Sequence, residues 1–227
     1  MEIVLLISIF VIIVISILMN TSTKKLKEIA EDKELNQIAE KYPTNKEICK
    51  TILKKIKNEK VKIEENETSE STMYIAVQDK ILIGNTHKSF TRIQTMAHEC
   101  LHSIQDRKLL IANFVCSNIY LLYFVIMVIL LIFRIIQNEM LFLNIFLIIS
   151  FTYYVVKIYL ENDAMIKAQY LAKEYLEEQK ITTKEENEKL VAGFKKLNTD
   201  CIKSTNCNIF INIMIKVVIF SILALIF

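Results

Sequence analysis

Glycine occurs twice in this chain, at Gly84 and Gly193, and proline once, at Pro43. That scarcity excludes glycine-rich phosphate loops and dinucleotide fingerprints, which need several glycines at fixed spacing. Histidine is nearly as scarce, with three residues. The five cysteines (Cys49, Cys100, Cys116, Cys201 and Cys207) are odd in number and form no C-x-x-C pair, so no disulfide framework is implied. Charge of one sign is not in excess either. The 28 Lys and Arg are closely mixed with 25 Asp and Glu, and a net charge of +3 is too small for a nucleic-acid-binding surface.

Apolar residues, by contrast, make up 53% of the chain, too many for one soluble domain of 227 residues. They gather in four runs, 3–19, 109–133, 140–156 and 209–227, each able to cross a bilayer core that needs roughly 17–25 apolar residues. The first run has Glu2 ahead of it instead of a basic segment, and no small-residue cleavage site behind it. It reads as an uncleaved anchor, not a signal peptide. Asn113, Asn118 and Asn144 inside the runs are expected at helix-helix contacts. Lys216, costly at mid-bilayer, is expected to snorkel or to find a partner in the bundle.

Apart from Arg134 and Lys216, every Lys and Arg lies between Asn20 and Lys108 or between Lys157 and Cys207. The positive-inside rule therefore puts both polar segments in the cytosol and both termini outside, with basic flanks near anionic lipid headgroups. Five regions follow: an anchor (1–19), a cytosolic segment (20–108), a transmembrane hairpin (109–156), a second cytosolic segment (157–208) and a last span (209–227).

Within the first cytosolic segment, Leu26, Ile29, Leu35, Ile38 and Ala39 suit one or two amphipathic helices ended by Pro43. A Thr44-x-x-Glu47 capping box then opens a helix with Ile48, Ile52, Leu53 and Ile56 on one stripe. "ENETSEST" reads as an exposed loop, and "MYIAVQDKILIGN" as a β-hairpin ending near Gly84. Phe90, Ile93, Ala97, Leu101 and Ile104 restore a helical pattern, which can run on into the second span because neither Gly nor Pro intervenes. In the second segment, Ala164, Ala168, Leu171, Ala172 and Tyr175 give a small-residue helix face, and a Thr183-x-x-Glu186 box starts another helix through Leu197.

The helix predicted after Lys88 carries "TMAHECLHSIQD", with His98 and His102 four residues apart and Glu99 between them. On a helix, i and i+4 share a face, so both imidazoles can reach one tetrahedral zinc at about 2.0–2.1 Å. Glu99, beside the first ligand, is placed to take a proton from a metal-activated water as general base in peptide hydrolysis. A third protein ligand is needed. Asp106 fails, because eight residues of helix rise about 12 Å. Glu161 and Asp163 in "LENDA" emerge just after the third span on the same predicted side as His98. Positions two apart on a helix diverge by about 200°, so only one can face the metal. Glu161 is assigned to the metal, and Asp163 to holding a histidine N–H in place. Cys100 should point away from the metal and pack as a small hydrophobe, while His87 in a loop can approach a substrate.

"AHECLHSIQ" and the later "ENDA" resemble the membrane-bound zinc peptidases of the YugP type, whose text is close to AHExGHAIQ followed by an ELDAS-like segment. Leu101 stands where that family commonly has Gly, and Ser103 where it has Ala. The resemblance implies zinc ligation by His98, His102 and Glu161 and a catalytic Glu99. It also implies an N-terminal anchor with further spans after the motif. A more distant similarity is to gluzincins that also draw a glutamate from a later helix.

The sequence thus predicts a mainly α, multi-pass membrane protein with about four transmembrane helices. A small cytosolic, zincin-like α+β portion would include the hairpin. The expected activity is a zinc metallopeptidase acting on membrane-proximal or unfolded polypeptides, with the lipid bilayer as its other partner. The rival expectation is a non-catalytic scaffold or degenerate peptidase. Abundant Ile, Lys and Asn point to an AT-rich, bacterial genome.

Overall fold

The computed structural model describes residues 1–66, 68, 69, 71–85 and 89–227, and of 21–23 the backbone alone. His87 lies outside the described residues. The fold is mainly helical with a small sheet. In chain order the described elements are α1 (Glu2–Ala30), α2 (Lys33–Glu40), α3 (Asn45–Lys55), β1 (Lys62–Asn66), β2 (Met73–Ile75), β3 (Lys80–Gly84), α4 (Arg92–His102), α5 (Arg107–Ile132), α6 (Glu139–Gln179) and α7 (Lys184–Ile226). Four of these, α1, α5, α6 and α7, are long and apolar enough to cross a membrane.

The chain divides into two compact units. One comprises Met1–Thr23, Ala112–Tyr159 and Lys203–Phe227; the other, Lys24–Ile111 and Leu160–Ile202. The first is a bundle of apolar helices around Tyr120, Met127, Phe146, Val217 and Phe220. Within it the Lys216 ammonium lies over the Tyr120 ring, 5.0 Å from the centroid, and 5.8 Å from that of Phe124, so a cation-π contact answers its cost in an apolar run. Asn118 does not reach a neighbouring helix as expected. Its Nδ2 turns back to the Phe114 carbonyl of its own helix at 2.7 Å.

The second unit holds the sheet and the motif helix around one apolar core. The predicted stripes are its inner surfaces: Ile48 and Ile52 from α3, Ile93 and Ala97 from α4, and Ala164, Ala168 and Ala172 from α6 are all buried. Both capping boxes form. Thr44 accepts from Glu47 N while Glu47 accepts from Thr44 N, and Thr183 and Glu186 exchange the same pair of bonds.

The sheet has the order β1-β3-β2. The expected hairpin is present as antiparallel β2 and β3, with Tyr74 opposite Ile81. β1 was not expected. Glu65 and Asn66, read as loop from "ENETSEST", pair in parallel with Ile83 and Gly84. Parallel pairing across a long connection is not written in a local pattern, and on this edge strand Ile63 is the sole apolar side chain.

Scarcity of glycine leaves its mark on the turns. Lys57, Asp79, Arg134 and Lys180 all adopt positive φ, the conformation for which glycine is best suited. At the end of α3, Lys57 N–H donates to Lys54 O and Asn58 N–H to Leu53 O, a Schellman pair with lysine at the left-handed position. The two glycines themselves sit at close approaches. A Cβ at Gly84 would stand 2.6 Å from the Ser71 carbonyl oxygen, and one at Gly193 2.8 Å from Leu35 Cδ1.

Two expectations about helix limits are corrected. The helix expected to run through Leu197 continues to Ile226 as α7, and α6 likewise runs unbroken from its apolar run through a polar segment, since no proline lies within either. The motif helix, conversely, does not run into the next apolar helix. Asn58 Nδ2 donates to the Ser103 hydroxyl at 2.9 Å and to its carbonyl at 3.0 Å, the acceptor that continuation would use. Asp106 then opens α5 by accepting from Lys108 N at 2.7 Å. Ile104, beyond the break, is 49% exposed instead of on the core stripe.

Candidate metal centre

Helix α4 is seated by a buried cation. Arg92 donates to the carbonyls of Ala39 and Tyr42, both at 2.8 Å, and of Pro43 at 2.7 Å, and to Asn45 Oδ1 at 3.0 Å. It thereby satisfies the C-terminal carbonyls of α2 and fixes the first turn of α4. Cys100, as expected, packs as a buried small group, with its Sγ 3.6 Å from that of Cys49 on α3. With α4 fixed on its apolar side, His98 and His102 come to lie on the face turned toward α6.

There His98, His102 and Glu161 form one group of metal-ligating atoms, all within 4.8 Å of one another. The two Nε2 atoms are 3.0 Å apart, and Glu161 Oε2 lies 3.3 Å from the first and 3.7 Å from the second. Neighbouring ligand atoms on a tetrahedral ion with bonds of about 2.0–2.1 Å are separated by about 3.3 Å. The three atoms therefore outline one face of a tetrahedron of zinc size, and two imidazoles with a carboxylate are a donor set that such an ion accepts. Among the described residues no further His, Cys, Asp or Glu joins the group.

Gln105 completes the arrangement. Its Nε2 donates to Leu160 O at 2.8 Å and to Asp163 Oδ2 at 3.1 Å, and its Oε1 faces His102 Nδ1 at 2.8 Å. Because the amide N–H groups are both spent on oxygens, the remaining partner must be donated by the ring: His102 carries a proton on Nδ1, and its neutral form presents the Nε2 lone pair to the group. Asp163 is thus linked to His102 through Gln105, and its other oxygen is held by Lys167 at 2.6 Å. Asp163, expected to hold a histidine N–H directly, reaches His102 only through Gln105, a residue the motif spacing does not single out. Its role follows from the helix break after His102, which no residue within the motif signals.

No family model, curated protein or solved structure matches this chain.

Glu99 is buried, 7% exposed, and its Oε2 accepts the Tyr74 backbone N–H at 2.6 Å. Burial pushes its carboxyl above the ordinary range, against the opposing pull of the His98 and His102 imidazoles and the Tyr74 N–H. His102 is displaced upward too. Burial disfavours its charged form, but hydrogen bonding to Glu161 and the nearby carboxylates outweigh it. Around Asp163, burial is overcome by Lys167 and Gln105, which hold that carboxyl below its usual range.

Proposed function

We propose that this chain is a zinc-dependent membrane metallopeptidase that hydrolyses peptide bonds in membrane-proximal or unfolded polypeptides. The observation that carries the reading is the convergence of His98 Nε2, His102 Nε2 and Glu161 Oε2 within a few ångström of one another, with a buried Glu99 on the same helix. When bound, zinc supplies Lewis-acid polarisation of the scissile carbonyl and lowers the pKa of water toward about 7.

The protein's own residues do the rest. His98 and His102 from α4 and Glu161 from α6 hold the ion, and among the described residues no fourth ligand joins them, which leaves room for water and substrate and favours catalysis over a structural metal. Glu99, with its carboxyl raised by burial, takes the proton of the attacking water and passes it to the departing amine. The Tyr74 N–H anchors one oxygen of that carboxylate, leaving the other for the proton. β2 is an edge strand, so an extended polypeptide laid along it comes beside Glu99. The four apolar helices anchor the protein in a cell membrane, and the basic flanks put the metal centre on the cytosolic side.

The test is cleavage of an unfolded protein by the detergent-solubilised full chain. Activity should vanish with a chelator, return with zinc, and fall by about 10²–10⁴-fold in Glu99→Gln, whose metal content stays intact. Full activity in Glu99→Gln would sink the mechanism, and no zinc-dependent cleavage at all would favour a non-catalytic scaffold.

A further inference from the structure

Gln105 makes three contacts that no rotation of its amide can exchange. Turning it over would set Oε1 against the Leu160 carbonyl and the Asp163 carboxylate, which now accept at 2.8 and 3.1 Å, and would aim N–H groups at His102 Nδ1. Three oxygens would then face one another without a proton between them. The orientation is thus fixed by α6, and through it so is the tautomer of the His102 ring on α4.

We propose that Gln105 is the positioning residue of the metal centre, one amide that both locks His102 with its Nε2 lone pair toward the ion and clamps the turn of α6 from which Glu161 projects. The inference rests on the metallopeptidase reading for its purpose, but its physical content is independent of catalysis. Leu160, the acceptor at 2.8 Å, immediately precedes Glu161, so the clamp acts on the backbone next to the third ligand. Metal-binding histidines commonly donate the second ring N–H to a carboxylate or carbonyl, which fixes the ring. Here the Asp163 carboxylate is engaged by Lys167 at 2.6 Å, and the amide stands between it and the ring. An amide does what a carboxylate cannot: it accepts from the histidine on one side and donates to two oxygens on the other.

The experiment uses the full chain in detergent, free of metal, with ¹⁵N-labelled histidine, at a pH where the rings are neutral. The tautomer is read from imidazole nitrogen spectra, and affinity for Co²⁺ from its visible absorption under competition. The wild type should show His102 protonated on Nδ1. Gln105→Met, of similar length, should lose that single tautomer and bind Co²⁺ about 10–100-fold more weakly. Gln105→Glu retains an acceptor for the ring and loses both donors, so its tautomer should persist while affinity still drops. A wild-type His102 tautomer retained in Gln105→Met, together with Co²⁺ affinity within twofold, would overturn the proposal. A changed tautomer in Gln105→Glu would overturn it as well, and that variant decides the matter if Gln105→Met does not fold. Tautomer and Co²⁺ responses as expected, without zinc-dependent cleavage, would uphold Gln105's role and reject the peptidase reading alone.

Discussion

The backbone N–H of Tyr74 donates to Glu99 Oε2 across 2.6 Å, so the edge strand β2 and the motif helix α4 meet on the buried carboxylate. The Tyr74 hydroxyl separately donates to Asp79 Oδ1 at 2.7 Å, in the turn that leads to β3. These two bonds can be removed independently. Tyr74→Phe loses only the hydroxyl bond and should leave the proposed peptidase activity near normal. Tyr74→Pro removes the N–H on an edge strand, where proline is tolerated, and should lower kcat by on the order of 10²-fold with zinc content unchanged. Equal activities in the two variants would show that the N–H does not position Glu99.

Acidity should act on the metal centre through His102. In the metal-free protein its folded pKa is raised, so the stability it contributes is fully present below the unfolded value of about 6.5 and is lost as pH rises through the folded pKa. Metal binding has the opposite sign, because it requires the neutral ring and releases its proton. The rise in thermal midpoint on adding zinc should therefore be small near pH 5.5 and grow toward pH 8. A zinc-induced rise that is the same across that range would contradict the assignment of His102 as ligand.

The turn after α3 offers a test of the backbone. Lys57 stands at φ 57° where a Schellman turn prefers glycine, and the next residue, Asn58, holds the end of the motif helix. Lys57→Gly should stabilise the protein by about 1 kcal/mol, seen as a higher thermal midpoint in detergent, while Lys57→Ala should give no such gain.

The apolar stripes, the two capping boxes and the His98-Glu99-x-x-His102 spacing were legible because each is local, with every contact needed to recognise it lying within a few residues. The small-residue face at Ala164, Ala168 and Ala172 was legible for the same reason, and all three are buried. What escaped reading depends on distant partners. β1 exists because β3 offers its edge, and α4 stops at His102 because Asn58, remote in sequence, takes the Ser103 carbonyl. Gln105 reads as an ordinary polar residue until that stop turns it toward α6. The continuous α6 and α7 show the converse: a change from apolar to polar composition alters what a helix faces without ending it.

The most direct test of the metal centre is the zinc content of the purified full chain beside Glu161→Ala and Asp163→Ala, each loaded with zinc and then desalted. A site built from His98, His102 and Glu161 predicts one zinc per chain in the wild type, loss in Glu161→Ala, and retention in Asp163→Ala, whose carboxylate is linked to His102 only through Gln105. No zinc in the wild type, or full occupancy in Glu161→Ala, would contradict it.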